Sequence, residues 1–135
     1  MEHHSNQTSW IETIAEVKLI PYTQDGHVDL ELFRVLLARY RDRDLKIAAV
    51  TSCSNVTGVF SPYYGIAEIM HQNNGFCFVD FACSAPYVNI NMHPKNKKQK
   101  LDAIYFSPHK FLGGPGSSGI CLLYTSPSPR DQRGS

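Results

Sequence analysis

Two patterns of apolar residues alternate along the chain. Apolar residues three or four apart predict a helix over residues 30–40, capped by Asp29, and a second helix from Pro62 to about residues 73–75. Short, nearly continuous apolar runs predict buried strands at residues 46–51, 76–80 and 102–106. Strands that are apolar on both faces and separated by helices indicate an α/β fold, with a mostly parallel sheet and helices on both faces in three layers.

The first twenty residues contain shorter patterns, which predict one helix and one strand. Ser5 or Asn6 is expected to cap a helix that continues to about Ile14, with Trp10 and Ile14 on one face. Residues 16–20 then alternate between polar and apolar positions, which predicts a strand that stops before a proline.

Composition narrows the possible class of protein. The 135 residues, 42% of them hydrophobic, are enough for one compact domain. Thirteen Lys and Arg against twelve Asp and Glu leave a net charge of +1, which gives no electrostatic reason to expect nucleic acid or an anionic membrane as a partner. The chain has no apolar run near the ~18 residues of a membrane helix, and its start has no apolar region typical of a signal peptide. We therefore expect a cytoplasmic protein.

The cysteines and histidines suggest neither a disulfide framework nor a metal site. The chain lacks a Cys-x-x-Cys pair, and its Cys and His spacings do not match those of zinc sites. We interpret the four cysteines as free thiols: Cys53, Cys77, Cys83 and Cys121.

The two ends of the chain suggest a fragment of a longer protein. Residues 121–131 resemble a translated sequencing adapter, and Pro127 and Pro129 prevent a regular element there. We therefore divide the chain into a folded part, residues 1–120, and a non-native or disordered tail, residues 121–135. The alternative for residues 120–124 is a strand.

Polar side chains follow three of the predicted strands. Asn55 lies in the loop after the first, Asp80 closes the second, and Ser107, His109 and Lys110 follow the third. Open α/β sheets bind ligands beyond the carboxyl ends of their strands. These residues therefore predict one site with an amide, a carboxylate, a hydroxyl, an imidazole and an amine.

Five short segments, in this order and spacing, resemble the class V aminotransferases: EHHSN at 2–6, SNVTG at 54–58, VD at 79–80, SPHK at 107–110 and GGPGSSG at 113–119. This group of fold-type-I pyridoxal-phosphate enzymes includes cysteine desulfurases and selenocysteine lyases. The resemblance covers about residues 2–120 and implies the central part of the large, cofactor-binding domain. It also implies pyridoxal 5'-phosphate as cofactor, an amino acid as substrate, transamination or carbon–sulfur/selenium lyase chemistry, and a homodimer.

The resemblance assigns catalytic roles to two residues. Lys110 matches the lysine that holds the cofactor through an imine and later moves protons at the substrate α-carbon, for which its amine must first lose a proton. His3 matches the histidine that stacks on the cofactor ring and assists proton transfer. Asp80 matches the carboxylate that pairs with the pyridine nitrogen and keeps it protonated, so that the ring accepts electrons.

The other matches concern cofactor binding. Asn55 matches the amide near the phenolic oxygen, and Ser107 and His109 match donors to the phosphate. Cys83 occupies a cofactor-binding position at which many desulfurases carry glutamine. A thiol is a weak donor, so Cys83 is interpreted as part of the site wall.

Several alternatives remain open from the sequence. Ser107 could instead cap the following turn, and His3 could be an ordinary surface residue. A phosphate loop at residues 113–119 is disfavoured because the terminal Gly-Lys-Ser/Thr is absent. Desulfurase, aminotransferase and a non-catalytic scaffold all stay possible for the parent protein. The 135 residues alone are expected to be inactive and marginally stable, because strands would be missing, which leaves sheet edges exposed, and part of the cofactor site would be missing too.

Overall fold

A computed structural model describes residues 2–124, in which helices and strands alternate as the apolar pattern predicts. The helices are α1 (His4–Ile11), α2 (Leu30–Ala38) and α3 (Tyr63–Gln72), and the strands are β1 (Ile47–Thr51), β2 (Phe76–Asp80), β3 (Ala103–Phe106) and β4 (Ile120–Leu123). Two short 3₁₀ helices cover Lys97–Gln99 and Pro108–Lys110.

The four strands form one sheet in the order β1-β2-β3-β4. The first three strands are parallel, and their last residues lie close together, since Thr51 pairs with Asp80 and Asp80 with Tyr105. β4 is antiparallel to β3 and pairs Ile120 with Phe106. The residues that follow β1, β2 and β3 therefore leave the sheet at one edge.

One face of the sheet packs against α3. Cys77 and Val79 of β2 and Ile66 and Ile69 of α3 are fully buried in one apolar cluster. Alternate residues of a strand point to opposite faces, so Phe78 belongs to the other face. There the Phe78 ring lies 6.3 Å from the ring of Trp10 in α1. Helices thus cover both faces, which confirms the predicted three-layer α/β arrangement.

A buried carboxylate joins three elements at the amino ends of the strands. Asp102 Oδ2 accepts hydrogen bonds from the backbone N–H of Cys77 (2.8 Å) and contacts His71 Nε2 (2.7 Å). Its Oδ1 lies 3.2 Å from Lys100 Nζ. The contacts of Asp102 hold the end of α3 and the start of β2 beside the start of β3, at the edge opposite the predicted site.

The first helix differs from its prediction at both ends. The N-cap is His3, whose Nδ1 accepts the backbone N–H of Ser5, so the expectation of a Ser5 or Asn6 cap was wrong. The helix ends at Ile11 rather than Ile14 because the Thr13 hydroxyl donates to the Trp10 carbonyl and the chain turns away.

The predicted strand at residues 16–20 is also wrong. Within residues 2–124, this segment has no strand beside it to complete a ladder. Glu16 instead pairs with Lys18 (2.9 Å) and with Arg43 after α2 (2.7 Å), while Leu19 is exposed. The Asp29 cap is confirmed by its 2.9 Å hydrogen bond from Leu32 N–H. Residues 120–123 form the strand β4, as the alternative prediction for this segment had it. Pro127 and Pro129 lie outside the described residues.

Candidate active site

A cleft of about 200 Å³ opens at the carboxyl ends of β1, β2 and β3. It contains all seven residues that the sequence predicted for the site: His3, Asn55, Asp80, Cys83, Ser107, His109 and Lys110. Ser5, Thr51, Cys53 and Ala82 complete its lining. The residues predicted from separate segments therefore share one cleft, although their individual roles stay predictions.

Asp80 reaches the cleft as the last residue of β2. Its Oδ1 accepts a 2.7 Å hydrogen bond from the backbone N–H of Ala82, which fixes the direction of the carboxylate. Its backbone carbonyl accepts the N–H of Ser52 at 2.8 Å and so continues the pairing of β1 with β2. Because one oxygen is held by the backbone, the other is available to a donor in the cleft.

Lys110 is presented by the 3₁₀ helix that follows β3. The turn closes through a 3.0 Å hydrogen bond from the Lys110 N–H to the Ser107 carbonyl, with Pro108 at its first position. Both His109 and Lys110 are exposed at the cleft. Ser107 stands at the N-cap, but its hydroxyl makes no capping hydrogen bond. The hydroxyl is therefore free to donate to a ligand, which disfavours the capping alternative.

The glycine-rich loop folds back against this turn. Gly114 donates to the Phe111 carbonyl at 3.0 Å, and a Cβ at Gly114 would stand 1.9 Å from the Pro108 carbonyl oxygen. Only glycine allows such a close approach. Gly113 and Gly116 have φ angles of +80° and +82°, which side chains disfavour. The loop thus sets the position of the turn that carries Lys110.

The N-terminal segment is held at the cleft by Glu2. Its Oε1 accepts the Thr51 backbone N–H at 2.8 Å, and its Oε2 accepts from Asn6 Nδ2 at 2.8 Å. His3 follows Glu2, and its Nδ1 lies 2.7 Å from the Ser5 hydroxyl. These contacts fix both the backbone and the ring of His3 at the mouth of the cleft.

The loop after β1 is shaped by a buried serine. The Ser54 hydroxyl accepts the backbone N–H groups of Val56 and Thr57, each at 3.3 Å. The loop closes with a 2.9 Å hydrogen bond from Gly58 N–H, at φ +71°, to the Ser54 carbonyl. Asn55 lies at the tip of this turn and lines the cleft with an exposed amide.

Two thiols meet in the cleft wall. Cys83 is half-buried and contacts the buried Cys53, which sequence reasoning had not placed in the site. Burial and the neighbouring Cys83 thiol raise the pKa of Cys53. The role of Glu2 in holding the N-terminal segment was also missed. Its only sequence signal was its place in the EHHSN segment, because the contact with Thr51 spans 49 positions.

The donor set fits pyridoxal phosphate. A carboxylate suits a protonated pyridine nitrogen, a primary amine suits the aldehyde, and the serine hydroxyl and imidazole suit a phosphate. Asp80, Lys110, Ser107 and His109 supply these groups within one cleft.

Comparison with known proteins decides the family. The model of the family described as aminotransferase class-V matches residues 1–133. The chain belongs to the class V aminotransferase family. A curated relative of this class V chain, a probable cysteine desulfurase from Halobacterium salinarum, is 35% identical over 130 residues, which is 92% of the chain. A cysteine desulfurase from Cronobacter sakazakii is also 35% identical over 130 residues.

Solved structures agree with the class V fold. A NifS-like protein from Rickettsia africae matches with a TM-score of 0.76 and 26% identity over 90% of this chain and 32% of its own. The apo cysteine desulfurase of Thermococcus onnurineus matches with a TM-score of 0.68 and 28% identity over 91% of this chain and 29% of its own. These structures confirm the fold-type-I arrangement.

The chain spans 28–29% of the length of the two curated relatives named above. Within residues 2–124, every helix is too short or too polar to cross a membrane.

Proposed function

We propose that this chain forms the cofactor cleft of a pyridoxal-phosphate enzyme that removes sulfur from cysteine. The observation that carries the proposal is the shared cleft of Asp80 and Lys110, at the ends of the neighbouring strands β2 and β3. The curated relatives named cysteine desulfurase support cysteine as the substrate. We further propose that the protein is cytoplasmic and works as a homodimer.

The residues of the cleft divide the work of holding the cofactor. Pyridoxal phosphate, when bound, accepts the electron pair left at the substrate α-carbon. Asp80 would hold the pyridine N–H, and its charge would keep that nitrogen protonated. The Ser107 hydroxyl and the His109 imidazole would donate to the phosphate, and the Asn55 amide to the phenolic oxygen. His3 would pack on the ring.

Lys110 performs the proton chemistry. Its amine, once unprotonated, would hold the cofactor covalently and would be placed to take a proton from the substrate α-carbon. His3 would assist this transfer from the N-terminal segment at the mouth of the cleft. Cys83 contributes a thiol where many family members present a glutamine amide. Because a thiol is a weak donor, the phenolic oxygen depends more strongly on Asn55.

The test uses a hybrid enzyme, in which residues 2–124 replace the matching segment of the Halobacterium salinarum relative. We expect the hybrid to release sulfide or persulfide from cysteine. Borohydride reduction followed by peptide mass spectrometry should find the cofactor on Lys110 in the hybrid. The matched control is Lys100→Ala, which should leave the labelling unchanged, whereas Lys110→Ala should abolish both labelling and turnover.

Other outcomes would contradict the proposal. Cofactor fixed mainly on Lys46 or Lys100 would refute the role of Lys110. Transamination of several amino acids without sulfur release would replace the desulfurase assignment by an aminotransferase. For the 135-residue chain alone, we propose weak cofactor binding and unselective labelling of its lysines, since the chain spans only 28% of that relative.

A further inference from the structure

The loops that follow β1 and β2 are clamped together beside the cleft. The hydroxyl groups of Ser52 and Ser84 form a buried hydrogen bond of 2.6 Å between their Oγ atoms. The strands that lead into these loops are already in register, since Thr51 pairs with Asp80. Cys53 directly follows Ser52 in one loop, and Cys83 directly precedes Ser84 in the other.

The two thiols lie beside the clamp as neighbours. The side chains of Cys53 and Cys83 line the same cleft, and Cys83 is among the groups that raise the pKa of Cys53. Cys53 is 6% exposed, whereas Cys83 is half-buried. A disulfide needs Cα atoms within about 7 Å. The paired strand ends Thr51 and Asp80 lie only two and three residues before Cys53 and Cys83, so the strand pairing and the serine hydrogen bond keep the two cysteines in neighbouring segments.

We propose that Cys53 and Cys83 form a redox-sensitive dithiol that closes to an intramolecular disulfide when a peroxide oxidises it. This inference goes beyond the proposed function and does not depend on it. The oxidised pair would join the loops after β1 and β2 covalently and remove a thiol from the cleft wall, directly beside Asp80.

The reaction balances with hydrogen peroxide as the oxidant. The Cys83 thiol loses its proton and its sulfur attacks one peroxide oxygen, the O–O bond breaks, and the leaving hydroxide takes up that proton, so that a sulfenic acid and one water result. The Cys53 sulfur then attacks the sulfenic sulfur, loses its proton and displaces the hydroxyl group as a second water. Two thiols and one peroxide thus give one disulfide and two waters. Cys83 reacts first because it is half-buried and open to the peroxide, whereas Cys53 is 6% exposed.

The other thiols are poorly placed for this reaction. Cys77 is fully buried on β2, and Cys121 lies on β4 opposite Tyr105. A metal is a weaker explanation for the pair, because residues 2–124 contain no group of three or more side chains suited to hold one. An oxidant-driven disulfide requires only the two thiols.

The experiment treats the full 135-residue chain with hydrogen peroxide, blocks the remaining thiols and identifies linked peptides by mass spectrometry. We expect the Cys53–Cys83 link to exceed every other pairing several-fold and to disappear with dithiothreitol. Cys121→Ser should leave this link unchanged. Cys53→Ser should abolish it and leave Cys83 as a sulfenic acid that dimedone labels.

A urea-unfolded sample, oxidised in the same way, provides the reference for chance pairing. A native sample with the same distribution of links as the unfolded one would overturn the proposal. The proposal would also be overturned if Cys83 stayed reduced while Cys121 formed disulfides between chains. Ser84→Ala adds an independent measurement, since loss of the serine clamp should slow the Cys53–Cys83 link while Cys121 reactivity stays constant.

Discussion

The carboxylate of Glu2 accepts a 2.8 Å hydrogen bond from the backbone N–H of Thr51, across 49 positions of sequence. The same carboxylate binds Asn6, so one side chain joins the N-terminal segment to the end of β1. His3 enters the cleft between these two contacts. The position of His3 therefore depends on Glu2.

Glu2→Ala should destabilise the chain by about 1 kcal/mol, the usual net value of an intramolecular hydrogen bond. The physical reason is the unpaired Thr51 N–H at the end of β1. Urea unfolding measures the change, with Glu12→Ala as the control because Glu12 is exposed. Equal losses for the two variants would show that the Glu2 contact contributes nothing.

Asp80→Ala in the hybrid enzyme should lower turnover by about a hundredfold or more while Lys110 still attaches the cofactor. The expected loss arises because the pyridine nitrogen no longer has a carboxylate to keep it protonated. Turnover and borohydride labelling are measured together. The exposed Asp42 provides the control as Asp42→Ala. Near-normal turnover of the Asp80 variant would mean that Asp80 acts only on the loop, through Ala82.

Gly114→Ala should cost about 1–3 kcal/mol, as expected for overpacking. The added Cβ would stand 1.9 Å from the Pro108 carbonyl oxygen and push the Lys110 turn away from the cleft. Gly119→Ala is the matched control, because its Cβ would meet no atom within 4 Å. Thermal unfolding of both variants checks the prediction, and indistinguishable midpoints would contradict it.

We expect the chain to lose stability at alkaline pH because the thiol of Cys77 is buried. Burial, with the nearby Asp102 charge, raises the pKa of Cys77 from 9.0 to about 12. A raised folded-state pKa gives stability that is fully present below the unfolded pKa and is lost as pH rises from about 9 toward 12. At pH 10, one pH unit above the unfolded pKa, the loss should be about 1.4 kcal/mol.

The measurement compares unfolding free energies at pH 7 and pH 10 for the unchanged chain and for Cys77→Ala. The variant should show a smaller decline with pH, since it lacks the titrating thiol. Cys121→Ala, which removes an exposed thiol, should decline as the unchanged chain does. If the free energy of unfolding declined equally in the unchanged chain and in both variants, the contribution of Cys77 would be refuted.

Much of the fold and site could be predicted because local patterns decide them. The apolar runs at β1, β2 and β3 have to be buried on both faces, and parallel strands then bring Asp80 and Lys110 to one edge. Glu16 to Ile20 has the alternation of a strand as well. A strand also needs a neighbouring strand, however, and the Glu16 side chain of this segment pairs with Arg43 instead.

Long-range contacts between side chains could not be predicted. Neither the hydrogen bond of Glu2 to Thr51 nor the meeting of Cys53 with Cys83 leaves a periodic signal in the sequence. The first depends on where the N-terminal segment crosses the end of β1, and the second on the register of β1 with β2, and both are known only once the chain is folded. The cap of α1 was mispredicted because the His3 ring accepts the Ser5 N–H, so the helix already begins at His4.

The order of the strands in the sheet has a consequence for protein synthesis. Each strand pairs with the one made just before it, so β2 can dock on β1, and β3 on β2, while the ribosome is still extending the chain. Lys110 emerges only four residues after β3 ends at Phe106. The two charged groups of the cleft, Asp80 and Lys110, can therefore meet as soon as β3 docks on β2, before β4 joins the outer edge of the sheet.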